Sequence, residues 1–433
     1  MFSTALSTSF KGPVESLTLC VAFSTVVNER IEFLMLTCRA CASHTVVDLI
    51  DYGPQPLCNR FLAGPNGPEA RFSLHLCLCP SCGVIQLAEV APADELRPRL
   101  EWVKYNEAEG HLDDKVENIL RITHLGTDAV VAGMSYKDAS TVRRFAAKGF
   151  SKSYVIDLPN DLGVTAPGAG VESVQAALTE AKAHAIANRR GRPDLVIARH
   201  IIEHAHDMPG FARALRALVK PGGFVAFEVP DMLPSLENRD YSTIWEEHPI
   251  YFTPPTYRQT LERLGFRVLG LLNYPYTIEN ALVAITQVAE PQISPLPPEA
   301  LQLEIQRSQA FAEAFPGLKA RLQQTLRSFR QNEGSIAVFG ASHLACKFIN
   351  LMGIAESIDF VVDDDPNKNG FHMPGSRLPI LGSSALIERQ IRLCLLSLNP
   401  ESEAKVIGKQ QKYLEAGGTF ASIFPANPKH LKF

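Results

Sequence analysis

The chain has 433 residues, of which 46% are hydrophobic and 20% charged, values typical of a globular protein with two or three domains. Its net charge of −4 gives no basic surface, which argues against nucleic acid as the main partner. No apolar run approaches the roughly 20 residues that a membrane-spanning helix needs, so the composition predicts a soluble protein without a membrane partner.

The first 34 residues differ from the rest of the chain. Residues 17–27 are mostly apolar, but this run is short and lacks a basic leader and a clear small-residue cleavage site, which argues against a secretory signal. Met35 lies just before a cysteine motif and would make a natural start. We therefore predict that residues 1–34 form an N-terminal extension that is poorly ordered or loosely packed.

Two Cys-x2-Cys pairs follow, Cys38 with Cys41 and Cys79 with Cys82. Two such pairs are typical of a tetrahedral structural zinc site, whose four thiolates leave no open position for catalysis. Core thiols without a metal are the alternative. Nine cysteines, an odd number clustered in this way, suit a reducing compartment such as the cytoplasm better than a disulfide framework. The motif predicts a zinc-binding domain over residues 35–90.

Strands and helices then alternate at the spacing of a doubly wound sheet, which predicts an α/β domain over residues 91–290. A helical region is expected over residues 84–122. The sequence predicts strands at 129–132, 153–157, 194–198 and 224–228, and helices at 140–148, 173–188 and 211–219.

The ends of the first two strands have features of a nucleoside-cofactor site. Asp157 closes the second strand, where an acid commonly hydrogen-bonds ribose hydroxyls; a surface carboxylate is the alternative. Gly133 closes the first strand, but the loop Gly133-Met-Ser-Tyr-Lys-Asp138 has only one glycine. Read alone, it is a weak cofactor loop.

Three imidazoles, those of His200, His204 and His206, directly follow the buried strand at 194–198, together with Glu203. Ligands of open α/β sheets bind beyond the carboxyl ends of the strands, where this cluster would lie. A solvated helix start with surface histidines is the alternative.

A second titratable cluster, Glu246-Glu247-His248, lies among aromatic residues. A carboxylate beside an imidazole can orient and tune a general base. The alternative is a polar strand edge covered by aromatic side chains.

The carboxyl-terminal part begins with a proline-rich linker, and residues 291–334 comprise this linker and helices. Residues 299–332 predict a helical pair or one long helix, broken near Pro316-Gly317. A strand, a glycine turn, a helix and an acidic strand end then predict a Rossmann-like domain over residues 335–433. The turn at Gly340, Ala341 and Ser342 could offer amides to a phosphate; an ordinary tight turn is the alternative.

Taken together, these motifs resemble the sugar C-methyltransferases of deoxysugar pathways over residues 35–433. The resemblance implies a small zinc-binding N-terminal domain, a central class I methyltransferase-like sheet that binds S-adenosylmethionine, and a C-terminal Rossmann-like domain. The most specific matches are the two cysteine pairs, His204, the pair Glu247-His248, and Gly340-Ala-Ser with Asp363.

The resemblance also implies a reaction, in which a proton beside a sugar ketone is removed and the enolate attacks the methyl sulfonium. This chemistry needs a base of near-neutral pKa and a donor to the enolate oxygen. The residues implied around a nucleotide-linked keto-deoxysugar are His204, Glu247, His248 and Tyr105. The implied cofactor-binding residues are Gly133, Ser135, Asp157, Arg199 and His200, and the implied substrate-binding residues are Trp245, Gly340, Ala341, Ser342 and Asp363.

The chain departs from the family pattern at three places. The family loop Glu-Ile-Gly-Ser-Asn-Asp-Gly has lost its early acid and second glycine here, Trp245 stands where tyrosine is frequent, and Ile278-Glu-Asn-Ala281 replaces a Gly-Gly-Ser loop. Two alternatives follow. One is a nucleotide-sugar-binding protein that does not methylate, and the other is an epimerase- or isomerase-like enzyme on the same scaffold.

Overall fold

A computed structural model describes residues 36–100, 102–103 and 107–433 of the chain. The predicted extension over residues 1–34, and Tyr105, lie outside the described residues. No helix in the described part of the chain combines the length and apolar character that crossing a bilayer requires.

The amino-terminal part is an antiparallel sheet. Its elements are strands β1 (Val47–Pro56), β2 (Arg71–Leu78) and β3 (Ile85–Leu87) and the short helix α1 (Ala93–Leu96). Among the described residues of the expected helical region 84–122, only α1 and the later helix Leu112–Thr123 are helical, so most of this prediction is wrong. Ile85 and Leu87 are buried where β3 pairs with β2, so their apolar side chains complete a sheet instead of a helix.

The central part is a six-stranded sheet in the order β5-β4-β6-β7-β10-β9, parallel except that β10 runs antiparallel to both neighbours. Its elements, with the flanking helices, are α2 (Leu112–Thr123), β4 (Val131–Gly133), α3 (Ala139–Ala147), β5 (Tyr154–Val155), α4 (Val171–Ala177), α5 (Glu180–Arg190), β6 (Leu195–Arg199), α6 (Met208–Leu218), β7 (Phe224–Pro230), α7 (Leu233–Asn238), β8 (Ile250–Tyr251), α8 (Pro254–Arg263), β9 (Phe266–Tyr274) and β10 (Ala281–Val288). The chain leaves β4 toward β5 and then returns to β6 on the other side, so β4 and β6 flank the switch point where ligands bind in such sheets.

The single helix expected over residues 173–188 is two helices, α4 and α5. Thr179 ends the first and caps the second, because its hydroxyl oxygen accepts the backbone N–H of Lys182. The break allows α4 to direct Glu172 and Gln175 into the protein interior, where both are buried.

Strand β8 belongs to a different sheet from the rest of the central part. It pairs antiparallel with β3, with Tyr251 opposite Ile85, and so extends the amino-terminal sheet to the order β1-β2-β3-β8. The segment that carries Glu247 and His248 is thereby joined to the cysteine-containing domain.

The carboxyl-terminal part is a parallel five-stranded sheet in the order β13-β12-β11-β14-β15. Its elements are α9 (Pro298–Asn332), β11 (Ile336–Phe339), α10 (His343–Met352), β12 (Phe360–Val362), β13 (Ile380–Leu381), α11 (Ala385–Glu388), β14 (Leu393–Leu396), α12 (Pro400–Lys409), α13 (Gln411–Glu415) and β15 (Thr419–Ser422). The expected break at Pro316 is absent, because buried Phe311 and Phe315 hold the preceding turn of α9 against the core.

Candidate active site and zinc site

The four cysteine thiols converge as the spacing predicts. All four Sγ atoms lie within 4.8 Å of one another, and the Cys38–Cys82 and Cys41–Cys79 Sγ separations are both 3.6 Å. A zinc ion with four Zn–S bonds of about 2.3 Å in a tetrahedron requires sulfur atoms about 3.8 Å apart. The donor set and its spacing therefore fit a structural zinc ion, with no position left for a substrate.

Arg39, which lies between Cys38 and Cys41, connects the zinc site to the segment that carries the three histidines. The backbone N–H of Arg39 donates to Gln86 Oε1 at 2.8 Å, and its guanidinium donates to the carbonyl of His206 at 3.2 Å. The zinc domain thus supports the segment that follows β6.

The structure brings the two predicted imidazoles together. His204 lies in the helical turn after β6 and His248 lies just before β8, and their ring centroids are 4.7 Å apart at an interplanar angle of 85°. Both side chains are buried. Two histidines from separate elements therefore share one desolvated space.

His204 has a partner that the sequence did not reveal. Its Nδ1 lies 2.6 Å from Glu172 Oε1 on α4, and Gln175 Nε2 donates to the other oxygen of Glu172 at 3.2 Å. A carboxylate at Nδ1 holds the proton on that nitrogen and leaves Nε2 as the proton-accepting atom.

The surroundings of Glu247 and His248 favour the neutral form of both side chains. Burial, followed by repulsion from Glu172 and Glu246, raises the pKa of Glu247 well above its ordinary value. Burial, followed by electrostatic repulsion from the neighbouring imidazole of His204, lowers the pKa of His248 well below its ordinary value. Asn59 Nδ2 donates to Glu247 Oε1 at 3.1 Å, so the amino-terminal domain also orients this carboxyl group.

The carboxyl-terminal domain reaches the same site through α10. The ring of His343 stacks on Trp245, with centroids 4.5 Å apart and planes 15° from parallel, and burial lowers the pKa of His343 to about 4. Beneath this stack Lys347 Nζ pairs with Glu246 Oε2 at 2.5 Å. His343 was not among the predicted site residues, because only the packing of two domains places it beside Trp245.

The loop after β4 is closed by its own acid. The Asp138 carboxylate accepts backbone N–H groups from Met134 and Ser135, at 2.8 and 2.9 Å, and from Arg199 at 2.9 Å. A Cβ added at Gly133 would lie 2.8 Å from Cβ of Asp138. Only glycine therefore allows the loop to fold this tightly over the strand.

Asp157 lies half-buried directly after β5. Its Oδ1 accepts the backbone and side-chain N–H groups of Asn160 at 2.9 and 2.6 Å. Because its other carboxylate oxygen takes no part in these bonds, Asp157 can accept hydrogen bonds from ribose hydroxyls. This end of the sheet fits the adenosine part of S-adenosylmethionine.

Arg199 and His200 are engaged with protein carboxylates. Arg199 Nε pairs with Glu228 Oε1 at 3.0 Å, and His200 Nε2 lies 3.3 Å from the same oxygen. Burial opposes protonation of His200, but the carboxylates of Glu107, Glu203 and Glu228 outweigh it and raise the pKa of His200 to about 9. Both residues form the charged wall of the crevice next to the β4 loop.

The turn after β11 uses its amides internally. The N–H groups of Gly340, Ala341 and Ser342 donate to the Val362 carbonyl, the Asp363 carboxylate and the Gly340 carbonyl. Gly340 has φ +101° and a Cβ there would crowd Leu398 and Ser397. These contacts favour the alternative of an ordinary tight turn over a phosphate site.

A cavity of about 470 Å³ opens between the central and carboxyl-terminal parts. Its lining includes Ser235 and Asn238 of α7, Tyr276 and Ile278 of the segment between β9 and β10, and Ala426 after β15. Its volume lies within the range of small-molecule sites, and it places the Ile278-Glu-Asn-Ala281 segment beside a space large enough for a ligand.

Comparisons with known proteins assign these parts to families. The chain matches models of a zinc-binding domain over residues 38–96, a methyltransferase domain over residues 133–271 and a C-methyltransferase C-terminal domain over residues 299–425. It is 25% identical over 404 residues to C-methyltransferase NovU of Streptomyces niveus, which covers 90% of this chain and 95% of NovU.

Similar solved structures include the 1,6-didemethyltoxoflavin-N1-methyltransferase of Burkholderia thailandensis with bound S-adenosylhomocysteine (15% identity, 43% of this chain, 94% of that chain, TM-score 0.26). A second is an S-adenosylmethionine-dependent methyltransferase of Aquifex aeolicus (14% identity, 46% of this chain, 100% of that chain, TM-score 0.27).

The three family models lie in the predicted order along the chain, and the four-cysteine cluster lies inside the first of them. The predicted fold class and the two predicted cofactors, S-adenosylmethionine and structural zinc, are confirmed. The chain is therefore a methyltransferase that uses S-adenosylmethionine and combines a four-cysteine zinc-binding domain, a methyltransferase domain and a C-methyltransferase C-terminal domain.

Proposed function

We propose that this enzyme methylates the carbon beside the ketone of a nucleotide-linked keto-deoxysugar. The observation that carries the proposal is the enclosed group of His204, His248 and Glu247, with Glu172 behind His204. The similarity to C-methyltransferase NovU over nearly the whole chain supports the same chemistry. Methylation at carbon needs removal of a C–H proton, which a buried pair of imidazoles can assist.

In the proposed mechanism His204 Nε2 removes the proton, and Glu172 stabilises the imidazolium that forms. Neutral His248 and the protonated carboxyl of Glu247 donate hydrogen bonds to the enolate oxygen of the substrate. A neutral imidazole kept unprotonated by its surroundings can serve as such a donor. Bound S-adenosylmethionine supplies the methyl group as a sulfonium electrophile. Trp245 and His343 shield the site from water.

The proposal is tested by incubating the enzyme with a nucleotide-linked 4-keto-6-deoxysugar in D2O, with and without S-adenosylmethionine. We expect one deuterium to enter beside the ketone without the cofactor, and one methyl group to be added with it, both read by mass spectrometry. Deuterium uptake without methylation would favour the isomerase-like alternative. An unchanged sugar that still binds would favour the non-methylating alternative.

Glu172→Gln should lower kcat by about 10-fold or more, because an amide cannot stabilise the imidazolium of His204. The kcat should be measured at several pH values, so that the variant and the unmodified enzyme are compared over the same range. Glu180→Gln, at the exposed start of α5, is the control. An unchanged rate and pH profile for Glu172→Gln would remove Glu172 from the mechanism.

Glu247 should make the reaction sensitive to alkaline pH. Its raised pKa favours the protonated carboxyl, which loses its donor proton once the pH rises above that pKa. The groups facing it are Glu172, Glu246, Lys137 and Asn59. Glu247→Gln keeps a hydrogen-bond donor, so we expect a measurable rate without this alkaline limb. Retention of the limb in the variant would assign it to another group.

A further inference from the structure

Lys137, in the loop that follows β4, forms a buried ion pair with Glu107. Lys137 occupies the position of the second glycine in the family's cofactor loop. Its side chain is 6% exposed and its ammonium contacts the Glu107 carboxylate, which is 26% exposed. The pair joins the segment that precedes α2 to the crevice between β4 and β6.

Hydrogen bonds hold the backbone of Lys137 in place, and its side chain pairs with Glu107 at the crevice. The N–H of Lys137 donates to Ser135 Oγ at 3.2 Å, and its carbonyl accepts from Arg199 at 2.7 Å. Burial opposes both charges, but attraction to Lys137 and His200 lowers the pKa of Glu107, and attraction to Glu107 raises the pKa of Lys137. Both groups are therefore ionised at neutral pH.

We propose that Lys137 and Glu107 bind the amino-acid end of S-adenosylmethionine. Lys137 would pair with the carboxylate of the cofactor, and Glu107 would pair with the ammonium group of the cofactor. The methionine end of the cofactor is a zwitterion, and an oppositely charged pair is complementary to it. On binding, the cofactor carboxylate would replace Glu107 as the partner of Lys137, and the cofactor ammonium would replace Lys137 as the partner of Glu107. Neither side chain is then left unpaired in the buried site. In this proposal the Lys137–Glu107 pair takes over the role of the early acid and the second glycine of the family's cofactor loop, which this chain lacks.

The test uses calorimetry on the full-length protein with two ligands. S-adenosylhomocysteine carries the zwitterion, whereas methylthioadenosine has the adenosine part without it. Lys137→Met and Glu107→Gln should each weaken binding of S-adenosylhomocysteine by about 10- to 100-fold, the value of one or two charge-assisted hydrogen bonds. The Kd of methylthioadenosine should change less than about 2-fold.

The matched control is Lys148→Met, since Lys148 forms a similar but exposed pair with Glu117 and should affect neither ligand. Lys137→Arg should retain most of the affinity, and zinc content with thermal unfolding reports the folding of every variant. Three results would overturn the proposal: unchanged or tighter binding of S-adenosylhomocysteine by Lys137→Met, an equal loss for both ligands, or no binding of either ligand by the unmodified protein. No sugar substrate is present, so the outcome is independent of the proposed substrate.

Discussion

Replacing His204 with alanine should lower kcat by about 10²- to 10⁴-fold, the contribution of a general base in proton abstraction. The variant loses the imidazole that is hydrogen-bonded through Nδ1 to the Glu172 carboxylate and so has Nε2 available to accept a proton. The same loss should appear in deuterium exchange without the methyl donor, because both readouts depend on removal of the same proton. Stopped assays of methylation and mass spectrometry of exchange provide the two measurements.

His206→Ala is the matched control for His204→Ala. His206 lies two residues away, its side chain is 28% exposed, and its Nε2 is 3.9 Å from Glu172. We expect kcat to change by less than about 3-fold, with unchanged zinc content and unchanged affinity for S-adenosylhomocysteine in both variants. A His204→Ala enzyme that keeps more than a tenth of the original kcat would contradict the assignment of His204 as the base.

Replacing Cys79 with serine should remove the zinc ion and most of the folded protein. Cys79 is fully buried, and its N–H and carbonyl also form the hairpin turn with Val84 and Gly83. Structural zinc contributes about 10–16 kcal/mol of binding free energy in small zinc domains, which exceeds or equals the stability of a typical domain. Zinc analysis and circular dichroism after chelator-free purification measure both losses.

The control for Cys79→Ser is Cys77→Ser. Cys77 is also buried and lies in β2, two residues before Cys79, but its thiol is outside the four-cysteine cluster. We expect this variant to keep a full equivalent of zinc, and its free energy of unfolding should fall by only about 1 kcal/mol. Full zinc occupancy in Cys79→Ser would show that three thiols suffice and would contradict a closed four-thiolate site.

Local patterns predicted much of the fold. The strands at residues 131–133, 195–199 and 224–230 are short, mostly apolar runs, and they are largely buried in the sheet as expected. The cysteine spacing identified the metal ligands directly, because four thiolates at two turns have few other uses. His204 and His248 lie together for a reason that these patterns did not contain, because β8, which His248 precedes, is an antiparallel strand of the amino-terminal sheet that packs beside the helical turn of His204.

The partners of these residues had no local signature. A single glutamate in a helix, such as Glu172, is unremarkable in sequence. It becomes important only because α4 ends at Ala177 and its Glu172 face is buried. Asn59 and His343 come from two other domains. Their contacts with Glu247 and Trp245 depend on domain packing, which no pattern of spacing or periodicity encodes.

Residues 246–249, which precede β8, are hydrogen-bonded to the amino-terminal domain at several successive positions. The N–H of Cys58 donates to Glu246, Asn59 donates to Glu247, and the carbonyl of Pro249 accepts from Leu87 as β8 joins β3. One wall of the proposed active site is thus formed by a domain that lies outside the methyltransferase domain itself. Chimeras that exchange the cysteine-rich module between relatives should therefore succeed only when residues 246–251 are transplanted with it.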